Sequence, residues 1–202
     1  MKQTQKVYPI KDKQVLNKFQ DCLLDNKITG MRDYTVWQVG KTTLLRAGDV
    51  LSLSKEDVYE TNGLPRKSII IHDHKTGKIN TLYLKPVEND LLKYKIWLDT
   101  NAPNSKWLFP SVGCSGKTDD DVQHLTVKGY YNILFHVADL LGLDYIGTHS
   151  MRKTGAYIVY EQTKNLALVQ KMLNHTSPVT TLRYLGLDEE SKQEILDGID
   201  FD

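Results

Sequence analysis

Apolar residues recur along the chain with two periods. After Asp12, a residue suited to a helix N-cap, Val15, Leu16, Phe19 and Leu23 follow helical spacing and predict a first helix ending near Gly30. Tyr34, Trp37 and Leu44 mark a second helix over residues 32–45, and Ala47-Gly48-Asp49 opens a third that runs through Val50, Leu51 and Leu53. The period then changes. Residues 68–72 and 79–84 are short β-rich runs separated by Asp73-His74-Lys75-Thr76-Gly77-Lys78, a hairpin connection with its turn glycine at 77. Helical patterns resume at Pro86, over 87–98, 126–141, 149–161, 166–173, 179–184 and 189–196, while Trp107-Leu108-Phe109-Pro110 reads as extended or turn. The pattern predicts an α+β fold, mainly α, with one small antiparallel β-sheet. No repeat or Pro/Gly/Ser-rich linker divides the 202 residues, so a single domain is expected, with an N-terminal helix in about residues 1–30 and a C-terminal tail over 188–202.

Composition excludes several classes. With 40% hydrophobic and 25% charged residues the chain is neither a disordered nor a collagen-like polymer. No apolar run approaches the ~18 residues of a membrane span, and the start, MKQTQKVYPIKDKQ, lacks the apolar stretch of a signal peptide. A cytosolic protein without membrane contact is expected. Cys22 and Cys114 are the only cysteines, with no CxxC and no histidine cluster, so they read as buried or idle thiols rather than a disulfide or zinc site. Gly40-Lys41-Thr42 looks superficially like a phosphate-binding loop, but that motif needs glycine at 35, where Thr35 stands. No metal-binding carboxylate cluster is evident either, and no cofactor is expected.

Net charge is +1, which by itself favours no partner. Its distribution is uneven. Residues 188–202 hold seven acidic residues against Lys192 alone, leaving 25 basic and 18 acidic over the other 187, a net of +7. A basic body with an acidic tail fits a polyanion-binding protein whose last segment stays off the polyanion, and it fits equally a solvated, charged terminal helix on any enzyme.

Several polar residues add to this picture. His149 and Arg152 in Thr148-His149-Ser150-Met151-Arg152 are three apart and share a helix face. His175, in Leu173-Asn174-His175-Thr176-Ser177, precedes Tyr184 by nine residues. Arg46 stands at a helix junction with Asp49 three residues on, and Lys75 lies at the hairpin tip. Singly, each has an ordinary reading: a wet surface pair, a capping histidine, a packing aromatic, an exposed ion pair worth little, a solvated turn. Asp49 could equally orient the Arg46 guanidinium for a third party.

Taken in chain order, Arg46 with Asp49, Lys75, His149 with Arg152, His175 and Tyr184 resemble the catalytic domain of the tyrosine recombinases, or phage integrases. The matching stretches are LLRAGDVLSL, KTGK, THSMRKTGA and LNHTSPVTTLRYLG, and the resemblance spans about residues 30–187. It implies the fold of the DNA breaking-rejoining catalytic domain, Arg46 and Arg152 as the arginine pair, Lys75 as the hairpin lysine, His149 and His175 as the histidines, and Tyr184 as nucleophile. Three positions depart from the family pattern: Leu44 and Asn174 stand where glycine is common, and Asp49 where glutamate is usual. None removes a reacting group. The family's separate core-binding domain is not found ahead of the match, as expected of a naturally short recombinase, like those that invert fimbrial promoter DNA, or of a fragment.

The chemistry explains the residue types. Guanidinium forks suit the nonbridging oxygens of a phosphodiester transition state, which assigns Arg46 and Arg152, with His175 as an added donor. Tyrosine, with a pKa of about 10, needs a base to attack at neutral pH, and His149 is the best candidate. Lys75 on its hairpin can protonate the leaving 5′-oxygen. The resulting 3′-phosphotyrosyl enzyme stores the energy of the broken bond, so rejoining needs neither ATP nor metal. The expected partner is double-stranded DNA, with self-assembly from dimer to tetramer through the C-terminal segment. A type IB topoisomerase uses similar residues, and an integrase-derived, non-catalytic DNA-binding protein is the alternative of a different class.

Overall fold

A computed structural model describes residues 7–73, 77, 79–111 and 123–187 of the chain. Helix α1 (Lys13–Leu24) begins where Asp12 Oδ1 accepts the Val15 N–H at 2.8 Å, and it buries Leu16, Phe19 and Leu23. The Asn26 side chain then accepts from the Ile28 and Thr29 N–H groups, making the turn into α2 (Gly30–Thr43). A Cβ at Gly30 would sit 2.3 Å from the Leu24 carbonyl oxygen, which accounts for glycine at this corner. The first helix is therefore shorter than expected, because Gly30 opens the second helix instead of closing the first.

Helix α2 is the central strut. It packs against α1 on one side, against α5 (Glu88–Asn101) on another and against α7 (Ser150–Thr163) on a third. Val36, Trp37 and Val39 are buried along it, and the Phe19 and Trp37 ring centroids lie 4.7 Å apart. It ends at Leu44, whose φ of +56° is left-handed and turns the chain toward α3 (Ala47–Leu51). A capping box of Ser54 and Asp57 forms α4 (Lys55–Val58), a single turn too short to show a hydrophobic period.

Strands β1 (Ser68–His72) and β2 (Ile79–Tyr83) pair antiparallel with Ile70 opposite Thr81. Ile69 and Leu82 turn inward, while Ile70, Ile79 and Tyr83 face out, as period-two alternation requires. After β2 the chain makes a 3-10 turn over Lys85–Val87 before entering α5, so Pro86 sits in the turn and not at the start of the helix proper. Trp107 and Pro110 form isolated bridges to Ser54 and His124, consistent with the extended segment expected there.

Thr126 caps α6 (Val127–Leu140) by accepting the Gly129 N–H, and α7, α8 (Leu166–Met172) and α9 (Pro178–Leu185) follow. The main core gathers α1 to α6 with Met151 of α7. A second, smaller cluster of Leu44, Ala156, Val169, Leu173 and Leu185 joins α7, α8 and α9. Gly155 is where α7 crosses α2 most tightly, since a Cβ there would lie 1.8 Å from the Lys41 carbonyl oxygen. The result is the expected mainly helical α+β domain. The helix expected over 189–196 lies outside the described residues, and among those described no helix is long and apolar enough to cross a membrane.

Candidate active site

Four chain segments meet where the two cores adjoin. The start of α3 brings Arg46, the start of α7 brings His149 and Arg152, the α8–α9 connection brings His175, and the last turn of α9 brings Tyr184. Helix α9 stops one residue after the tyrosine, at Leu185, because Gly186 takes a left-handed φ of +64°.

Arg152 is nearly buried, and its Nη2 donates to the Leu173 carbonyl at 2.9 Å, tying α7 to the end of α8. Its Nε is buried without a hydrogen-bond partner, leaving a charged donor unspent. Burial above all, and then the like charge of Arg46, lower its pKa, while Tyr184, Asp73 and Asp49 act in the opposite sense. Arg46 is paired with the carboxylate of Asp73, itself nearly buried just after β1. Two guanidiniums that repel one another and a donor left unsatisfied make a site suited to an anion.

Tyr184 is half-buried. Burial pushes its phenol up to about 12, against the pull of Arg152 and Arg46 toward the ionised form. At neutral pH the hydroxyl therefore holds its proton and needs a base. His149 Nδ1 lies 3.5 Å from the Tyr184 hydroxyl oxygen, at the outer limit of a hydrogen bond. His149 is exposed.

His175 is held by both its backbone and its ring. Its N–H donates to the Gln170 carbonyl, Gln170 Nε2 donates back to the His175 carbonyl, and the ring Nδ1 lies 3.1 Å from Thr181 Oγ1. The ring meets Tyr184 edge-on, with centroids 5.2 Å apart. Burial first, then the fields of Arg152 and Arg46, lower its pKa, so it is neutral at pH 7 and presents one ring N–H as donor.

The structure thus brings together Arg46, His149, Arg152, His175 and Tyr184. Asp49 is buried on α3 and contributes to the field at Arg152. Lys75 lies outside the described residues, but the root of its hairpin is described. The Gly77 N–H donates to the Asp73 carbonyl at 2.7 Å, so the same residue that pairs with Arg46 closes the turn. Sequence reasoning missed Asp73, because nothing local marks a carboxylate 27 residues from the arginine it holds. It also missed Lys153, next to Arg152, whose ammonium lies 5.0 Å from the centroid of the Tyr184 ring.

Two of the three departures from the family pattern now have a backbone reason. Leu44 and Asn174, at positions where glycine is common, both have left-handed φ, +56° and +55°. Asparagine tolerates that region well, and leucine poorly. Leu44 offsets its strain by burying its side chain in the smaller core, against Gly155 of α7. Of the two thiols, Cys22 is half-buried and pushed up by burial and by Asp25 and Asp21, whereas Cys114 lies outside the described residues. Among the described residues no group of three His, Cys, Asp or Glu side chains is placed to hold a metal ion.

Comparison with known proteins shows the family and the fold of the chain. The model of the phage integrase family matches residues 11–191. A probable integrase/recombinase, YoeC of Bacillus subtilis (strain 168), is 32% identical over 186 residues, which are 92% of this chain and 92% of the relative. Tyrosine recombinase XerD of Bradyrhizobium diazoefficiens is 26% identical over 191 residues, with the match covering 90% of this chain but 56% of the longer protein. Among solved structures, the XerH site-specific recombinase bound to its palindromic difH substrate, in a post-cleavage complex, superposes with a TM-score of 0.66 at 21% identity. That match covers 93% of this chain and 51% of the other, and it speaks for the fold.

Proposed function

Because the chain belongs to the phage integrase family, we propose that it is a site-specific DNA recombinase that breaks and rejoins double-stranded DNA through Tyr184. The observation that carries this reading is the convergence of two guanidiniums, Arg46 and Arg152, on a half-buried tyrosine, one of them with a buried Nε still to be satisfied. A scissile phosphate placed between them satisfies that donor and relieves the repulsion of the two cations.

The reaction then follows from the groups in hand. The Tyr184 hydroxyl oxygen attacks phosphorus while His149 takes its proton, which a phenol with a pKa of about 12 does not surrender unaided. Arg46, Arg152 and the His175 ring N–H hold the nonbridging oxygens as charge builds on them. The P–O5′ bond breaks, and Lys75 delivers a proton to the leaving oxygen. The products are a 3′-phosphotyrosyl enzyme and a free 5′-hydroxyl. A 5′-hydroxyl from a second strand reverses each step, so the phosphodiester count is conserved and no energy source enters the balance.

Strand exchange requires several copies of the chain on DNA. Residues 188–202 carry a net charge of −6 together with Ile195, Leu196, Ile199 and Phe201. Repelled by DNA and apolar in part, this segment is proposed to dock on a neighbouring protomer, which couples assembly to placement of the tyrosine just before it.

The test is to map covalent cleavage sites. Host or mobile-element DNA is incubated with the protein, denatured, and the protein-linked 3′ ends are sequenced. Adducts focused at one short sequence support site-specific recombination. Scattered adducts with relaxation of any supercoiled plasmid would indicate a topoisomerase, and no adduct would indicate a DNA-binding protein without chemistry.

A further inference from the structure

Lys153 and residues 7–11 form a connected structure around the nucleophile that the proposed chemistry does not use. Residues 7–11 run along one stripe of α7. The Tyr8 N–H donates to the Tyr145 carbonyl at 3.1 Å, Ser150 Oγ donates to the Tyr8 carbonyl at 3.0 Å, and the Ile10 N–H donates to Thr154 Oγ1 at 2.9 Å. Lys153 Nζ donates to the Val7 carbonyl at 2.6 Å, and Lys11 Nζ lies 5.5 Å from the Tyr157 ring centroid. Residues 150, 153, 154 and 157 recur at i, i+3, i+4 and i+7, so a single helix face is covered.

The segment also reaches across to α9. Lys11 Nζ donates to the Gly186 carbonyl at 2.9 Å, at the C-cap that ends the nucleophile's helix. A cation there complements the negative end of the helix. At the other end, Lys153 Nζ lies 5.0 Å from the Tyr184 ring centroid and 5.9 Å from that of Tyr8, joining the two rings through one ammonium. The tyrosine helix is thus fastened at two points, its reactive ring by Lys153 and its terminus by Lys11, which is 175 residues from the Gly186 it holds.

We propose that Lys153 is a positioning residue for Tyr184, and that with Lys11 it latches α9 to the segment 7–11 so that the phenol faces the arginine pair. The proposal rests on Tyr184 as nucleophile for its kinetic consequence, but the latch itself is independent of the chemistry. Other groups also face the phenol: His149 and Arg152 from α7, His175 from the α8–α9 connection, and Arg46 from α3. In the proposed reaction these act on phosphate or proton. Arg152 also lies over the ring, 5.9 Å from its centroid, but Lys153 is the nearer cation at 5.0 Å and the one that ties the ring to the segment 7–11.

Two measurements on the full chain separate the parts. Amide hydrogen exchange without DNA tests the latch: Lys153→Met and Lys11→Met should each speed exchange in residues 178–187 while leaving α2 and α5 unchanged. Unchanged exchange in α9 overturns the latch whatever the protein does to DNA. Single-turnover cleavage tests positioning: Lys153→Met should slow covalent adduct formation by roughly 10- to 100-fold, as expected of a misplaced nucleophile, with DNA affinity within about twofold. Lys153→Arg, which keeps a cation over the ring, should recover most of the rate. Loss of DNA binding in parallel with rate would make Lys153 a DNA contact and overturn the assignment, as would a wild-type rate in Lys153→Met. If the wild-type chain forms no adduct at all while exchange responds as expected, the recombinase reading fails and the latch stands.

Discussion

Replacing Gly155 with alanine probes the link between the helix crossing and the chemistry. The added carbon would lie 1.8 Å from the Lys41 carbonyl oxygen and 2.7 Å from Leu44 Cδ2. Ordinary nonbonded contact needs about 3.5 Å, so α2 and α7 must part by more than an ångström. Overpacking typically costs ~1–3 kcal/mol, and an immovable backbone carbonyl puts this case at the upper end. The better helix propensity of alanine offsets ~1 kcal/mol, leaving a net loss of about 2 kcal/mol. For a chain of this size that is a fall of about 4–8 °C in Tm. The functional effect should be larger. Arg152 lies one turn before Gly155 on α7, and Arg46 follows the end of α2 by three residues, so parting the helices moves one guanidinium away from the other. A shift of about 1 Å at a reacting centre costs on the order of 100-fold in rate. The assay pairs thermal unfolding with single-turnover cleavage measured well below Tm. Gly40→Ala is the control, because its new Cβ meets the Met151 thioether, a flexible neighbour, and should cost less in both readouts. Wild-type stability and cleavage in Gly155→Ala would refute the idea that this crossing sets the spacing of the arginines.

Three further outcomes are expected. Lys75→Ala should slow cleavage of ordinary DNA strongly, yet slow DNA with sulfur at the 5′-bridging position far less, because a thiolate leaves without a proton; equal slowing would make Lys75 a phosphate contact and turn attention to Lys78. His175 has its folded pKa held below the ordinary value of ~6.5, so the unfolded chain binds more protons in acid, and its stabilising share is present above pH ~6.5 and lost as pH falls through the folded value. Denaturant titrations between about pH 5 and 7.5 should show a shallower acid decline for His175→Gln, and an identical slope would contradict the assignment. A chain ending after Leu187 should fold and bind DNA yet lose higher-order complexes and most recombination on native gels, and unchanged complexes would rule out exchange of the tail between protomers.

The helical scaffold was legible because its signals are local. Asp12 and Thr126 are side-chain caps that work within one turn, and the spacing of Leu16, Phe19 and Leu23 marks a buried face directly. Helix α4 was not legible, since four residues cannot show a period. Neither was the boundary at Gly30, which reads as a helix end in sequence but opens α2 because of a close backbone approach to Leu24. In the site, the order of Arg46, His149, Arg152, His175 and Tyr184 pointed to residues that do converge. What escaped were contacts made only by folding: Asp73 on Arg46, Lys153 on the Tyr184 ring, and Lys11 on the end of α9. The left-handed backbone at Leu44 is likewise hidden, because leucine rarely adopts it, whereas asparagine at 174 is a residue type that favours it.

The central claim is that Tyr184 becomes covalently joined to DNA, and trapping followed by peptide mapping tests it most directly. A nicked substrate carrying the mapped cleavage site releases a short fragment on cleavage, so the adduct accumulates and can be digested to a nucleotide-bearing peptide for mass spectrometry. The account predicts a 3′-phosphate linked to Tyr184, and no adduct from Tyr184→Phe, which keeps the ring between His175 and Lys153 and loses only the attacking oxygen. An adduct on another residue, a 5′ linkage, or an adduct that persists in Tyr184→Phe would contradict it.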